Sequence, residues 1–126
     1  MKIVKSMCLI AAVALLISGC GSTKSNKTTE SVYKPTLDAS IEINGDTATL
    51  KLTTDLKLSR EHYDQVRKEG EGHVHLSFDK GEKEILTEKV KVYEHVSKGQ
   101  HEIKVSLHNN DHTPYDVSKT VTFEVK

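Results

Sequence analysis

The sequence predicts an all-β domain, an immunoglobulin-like antiparallel β-sandwich of about seven strands. Three observations carry that expectation. From Leu37 onward apolar residues recur with a period of two, the mark of strands with one buried face. Turn residues punctuate these runs at intervals of about 8 to 18 residues, the rhythm of a two-sheet sandwich. Only one stretch, Ser59 to Gly70, carries helix signals. The core has neither a Trp nor an expected disulfide to pin it.

Leu37, Ala39, Ile41 and Ile43 alternate with polar neighbours, and Asn44-Gly45-Asp46 then supplies a hairpin turn. Ala48, Leu50 and Leu52 continue the alternation on the return strand. In "SREHYDQVRKEG", Ser59 is an N-cap signal and Gly70 a stop. Its apolar content is thin, so a long loop with one helical turn is an equal expectation. Val74, Leu76 and Phe78 form the apolar face of the next strand, and His73, His75 and Ser77 fall on the other. Ile85, Val90, Val92 and Val96 mark one or two further strands broken near Thr87. After the turn "SKGQ", Ile103, Val105 and Leu107 alternate with Lys104, Ser106 and His108. "NNDHTP" is a loop by composition, and Val121, Phe123 and Val125 close the chain in a last strand.

The N-terminus has a different character. Lys2 and Lys5 precede an apolar run from Met7 to Ile17, the layout of a secretory signal and too short for a membrane span. Ile17-Ser18-Gly19-Cys20 resembles the lipobox of bacterial lipoproteins. That resemblance implies cleavage before Cys20, a diacylglycerol on its thiol and often an acylated amine. Two acyl chains hold a protein to a membrane where one does so marginally, at about 0.8 kcal/mol per buried methylene. The expected organisation is a signal peptide at 1–19, a lipidated Cys20 with a flexible tether at 20–35, and the sandwich at 36–126. The expected location is the extracytoplasmic face of the cell membrane, lipid-anchored.

Removing residues 1–19 leaves 107 of the 126 residues, with 16 basic against 18 acidic side chains. No basic footprint for nucleic acid remains. The Ser/Thr/Lys-rich stretch up to Pro35 reads as a coil that spans roughly 20 Å on average and about 50 Å when extended. Cys8 leaves with the signal and Cys20 is expected to be lipidated, so no thiol is left for a disulfide, nucleophile or metal.

Catalytic motifs are absent. There is no nucleophile-elbow serine, G-x-G-x-x-G, P-loop or H-E-x-x-H, and the expectation is that the protein is not an enzyme.

The histidines are the remaining chemistry. Lettered as in a sandwich, the "GHVHLSFD" strand is C and the "HEIKVSLH" strand is F, antiparallel neighbours in one sheet. The start of C then lies beside the end of F, at the end where the B-C and F-G loops gather. His73, His75, His108, Asp111 and His112 should converge on that rim, with His62 of the B-C loop able to join them. Imidazoles suit Cu(II) and Zn(II), and an i, i+2 pair on a strand puts two rings on one face. The central ligand set is His73, His75 and His112, with His108, Asp111 and His62 as additional ligands. The alternative is a wet strand face, and a structural or protein-interaction lipoprotein that uses the rim loops without metal. His95 lies beside a different turn and reads as a surface residue. His101 starts strand F, roughly 20 Å from its far end, and reads as a half-buried imidazole bonded to backbone in the "KGQH" turn.

"GHVHLSFD", "KGQHEIKVSL" and "NNDHTPY" together resemble a pattern of small exported bacterial β-sandwich domains, G-H-x-H, then G-x-H, then N-D-H. The resemblance implies secretion, an all-β fold and metal or ligand binding, with no settled activity. It places His101 in the pattern, although the strand geometry puts His101 at the opposite end.

Overall fold

The computed structural model describes residues 32–126. The expected signal peptide, Cys20 and most of the tether lie outside the described residues. Among those residues there are eight strands and no helix. Strands β1 (Asp38–Asn44) and β2 (Thr47–Thr53) form the expected hairpin. Its two-residue turn opens on Gly45 at φ 62°, the left-handed conformation such tight turns require of their first residue. The short β3 (Lys57–Leu58) leads through a loop to β4 (Glu71–Phe78), then β5 (Lys83–Leu86), β6 (Val90–Tyr93), β7 (Gly99–His108) and β8 (Pro114–Val125).

One sheet runs β1-β2-β6 and the other β3-β4-β7-β8, with β5 also paired to β4. Leu50, Leu52 and Leu56 meet Val74, Leu76, Ile103, Val105 and Leu107 between them. The immunoglobulin-like sandwich is therefore the fold, and its core is set by period-two alternation. Each such buried side chain contributes about 1.5–3 kcal/mol relative to exposure. The pairing of β4 with β7 is antiparallel, with His73 opposite His108 and His75 opposite Ser106, the neighbourhood expected for strands C and F.

One local expectation is corrected and two that were open are settled. Residues 59–70 form a loop of single turns: Tyr63 N–H donates to Arg60 O at 3.4 Å and Gln65 N–H to His62 O at 3.2 Å. Ser59 Oγ does accept the His62 N–H at 3.2 Å, as an N-cap would. With only Tyr63 and Val66 apolar, no continuous stripe exists for a helix to bury. In β5 and β6, Ile85, Val90 and Val92 are exposed, while Leu86 and Tyr93 pack on the core. The chain changes sheet between these strands, and the inward phase resets at the crossing. Thirdly, the packed body begins before residue 36. Pro35 is buried, and Tyr33 meets the Tyr115 ring edge-on at 5.9 Å. Thr36 donates from both N–H and Oγ1 to Asp55 Oδ1, at 2.6 and 2.9 Å.

Gly72 sits against the backbone at the end of β7. A Cβ there would lie 1.9 Å from the carbonyl oxygen of His108, and backbone on both sides leaves nothing free to move. Gly72→Ala should destabilise the domain by on the order of 1–3 kcal/mol, as overpacking does. Gly45→Asn keeps a residue that tolerates left-handed φ at a position with open space around it and should cost much less. Urea unfolding of the two variants measures the difference.

Candidate metal centre

Strand alternation and one tight turn build the site. The face of β4 opposite the core carries His73 and His75, and β7 ends alongside at His108. The chain then reverses: Asn109 N–H donates to Thr113 O at 2.8 Å and His112 N–H to Asn109 O at 3.0 Å. This turn returns His112, at φ 67°, over the two β4 imidazoles. The 59–70 loop docks beside it through the Asp64 N–H, which donates to Asn110 O at 3.0 Å.

Nε2 of His73 and Nε2 of His75 are 3.0 Å apart. One ligand atom from each of His73, His75 and His112 fits within a 4.8 Å group. His73 is fully buried although it lies on the outer face of β4, because the rings of Tyr63 and His112 both pack on it at 4.9 Å. His75 stacks on His108 at 3.6 Å and 18°. His108 is engaged at both nitrogens: Nδ1 donates to the carbonyl of His112 at 3.0 Å, and Nε2 lies 3.0 Å from Ser106 Oγ. It buttresses the group in this arrangement and has no nitrogen to spare for a ligand bond.

Asp111 and His62, both expected as additional ligands, are not in the group. Asp111 Oδ1 accepts the Thr113 N–H at 3.1 Å and its hydroxyl, closing its own turn. The His62 ring places Nδ1 2.7 Å from Glu71 Oε2. Glu71 is buried and also receives Lys57 and Lys68, each at 2.9 Å. Hydrogen bonds from Lys68, Lys57 and His62 bring its carboxyl down to about 2.

Burial, reinforced by the charges of the neighbouring imidazoles and Lys83, lowers both His73 and His75 to about 4. Both rings are therefore neutral at pH 7 and have lone pairs to offer. Two nitrogens bound to one ion at about 2.0–2.1 Å stand about 2.9 Å apart in a square plane and about 3.4 Å apart in a tetrahedron. The observed 3.0 Å lies between these edges. Without an ion, one of these Nε2 atoms donates to the other in an ordinary N–H···N hydrogen bond, which a bound metal would replace. Nδ1 of His73 has no hydrogen-bond partner. The ion-free ring is best served by a bare lone pair at Nδ1 and its proton on Nε2. Metal binding at Nε2 moves that proton to Nδ1, a shift that works against affinity by about 1–3 kcal/mol if the N–H stays unpaired.

His101 is at the opposite end, as the strand geometry required. Its Nδ1 is 2.7 Å from Asp79 Oδ2 and its Nε2 2.7 Å from the Ser97 carbonyl. Both partners accept, so the ring is held as an imidazolium, and the hydrogen bonds to Asp79 and Ser97 raise its pKa against the effect of burial. His95 is exposed beside Asp46, at 3.2 Å.

Likenesses to solved structures concern fold alone. No family model and no curated protein matches the chain. It resembles a PKD domain. The PKD1 domain of Vibrio anguillarum Epp aligns with TM-score 0.50 and 11% identity over 75% of this chain and 95% of that one. The PKD1 domain of the Vibrio cholerae metalloprotease PrtV aligns with TM-score 0.49 and 10% identity over 74% and 98%.

Sequence reasoning missed Tyr63 and Asp64. Both follow His62 in a loop already expected at the rim, but an aromatic cover and a carboxylate have no ligand-spacing signature of their own.

Two pH effects of opposite sign follow from these imidazoles. His73 and His75 bind protons less readily folded than unfolded, so stability falls as pH drops from about 6.5 toward about 4. Urea unfolding at pH 5 should show a loss of about 2–4 kcal/mol relative to pH 7.5, the lower figure discounting for the partial exposure of His75, and His75→Gln about half of it. His101 has a raised pKa, so its contribution is full below about 6.5 and is lost as pH rises through the folded value. His101→Asn should flatten stability on that alkaline side while leaving the pH 5 loss in place.

Proposed function

We propose that the domain is a histidine-based module that binds Cu(II) or Zn(II), carried on a lipoprotein anchored through Cys20 at the extracytoplasmic face of the membrane. The observation that supports it is the 3.0 Å approach of two neutral Nε2 atoms on one strand, with His112 completing a three-residue group. A sheet gives those two ligands a fixed spacing, and the turn at 109–113 brings the third. Three protein ligands leave a coordination position open, which suits an ion that is to be passed on or presented. The soft ligands that favour Cu(I), Met and Cys, do not occur between Gly21 and Lys126.

The rival is a protein-interaction module that uses the rim loops. Val66, 86% exposed on the 59–70 loop, favours it. The likeness to a PKD domain bears on fold and leaves both uses open.

Isothermal titration of the protein with Cu(II) and Zn(II) tests the reading. One-to-one binding at micromolar affinity or better is expected, weakened at least tenfold in His75→Ala and His112→Ala. These partly exposed positions are preferred to the fully buried His73, whose removal leaves a cavity. Saturable heat that is absent, or equal in all three folded proteins, would sink the metal reading and leave the interaction module.

A further inference from the structure

Asp64 faces His112 across the two rim loops, with Oδ1 3.0 Å from Nε2. A carboxylate accepts, so the proton of this bond sits on Nε2 of His112 and the neutral ring keeps its lone pair on Nδ1. The contact is built from several directions. The Asp64 N–H is tied to Asn110 O at 3.0 Å, and Arg67 Nη2 donates to Thr113 Oγ1 at 2.6 Å. The Tyr63 ring meets the His112 ring edge-on at 4.9 Å and 87°. Both residues hold left-handed backbone, φ 64° for Asp64 and 67° for His112, a conformation in which Asp and His are enriched among non-glycine residues.

We propose that Asp64 is the positioning residue of the metal centre: it fixes the His112 tautomer so that His112 ligates through Nδ1, while His73 and His75 ligate through Nε2. This inference rests on the metal reading above. A carboxylate on the far nitrogen of a ligating imidazole orients the ring and raises its basicity. Ligation through Nε2 of His112 would first have to break the bond to Asp64. Loop 59–70, which supplies no ligand atom to the three-histidine group, thereby acts on the ion through His112.

Zn(II) titration followed by long-range ¹H–¹⁵N correlation of the imidazoles is the test, on wild type and on Asp64→Asn, which keeps a residue tolerant of left-handed φ. In the wild type, His112 Nδ1 should take the metal-bound shift and Nε2 remain protonated. Asp64→Asn should bind Zn(II) about 10- to 100-fold more weakly while remaining folded without the ion, and Asp64→Glu should recover part of the loss. Ligation through Nε2, an unshifted His112, or wild-type affinity in Asp64→Asn would overturn the proposal while leaving a metal site standing. Absence of zinc binding in the wild type would overturn the metal reading and this inference with it.

Discussion

The antiparallel pairing of β4 with β7 is the constraint on which the histidine end depends. One register sets His73 beside His108 and buries Val74, Leu76, Val105 and Leu107 on the other face. A slip of one residue would turn every imidazole of β4 into the core and every core residue out. Hydrophobic burial thus fixes the position of the polar cluster, which contributes little to choosing the register itself. Gly72 permits the approach, since its missing side chain is what lets the His108 carbonyl come so near.

Much of this was legible in the chain. The alternation at Ala48, Leu50 and Leu52, and again at Ile103, Val105 and Leu107, is enough to give strands, their inward faces and a sandwich. Strand order in such a sandwich then brings His73, His75, His108 and His112 to one rim and leaves His101 at the other. The gaps lie where alternation carries no phase. Ile85, Val90 and Val92 look like core by type, yet the sheet crossing sends them outward and turns Leu86 and Tyr93 inward. Tyr33 was invisible as a packing residue because one ring in a polar run has no periodicity.

The site was legible as a neighbourhood and not as a geometry. Spacing cannot tell a nitrogen that is free from one already bonded, so His108 stayed among the additional ligands. In the fold His108 is occupied at both nitrogens. His62 likewise was a ligand by type, but the buried carboxylate of Glu71 claims it. Burial of His73 on a nominally wet face required the return of the 59–70 loop, a tertiary event with no local signal.

The packing of Tyr33 on Tyr115 also ties the first described residues to the histidine end. Tyr115 donates its hydroxyl proton to the carbonyl of Glu71 at 2.9 Å, at the start of β4 and one residue before Gly72. Tyr33 is therefore seated at the pole of the sandwich that bears His73, His75 and His112.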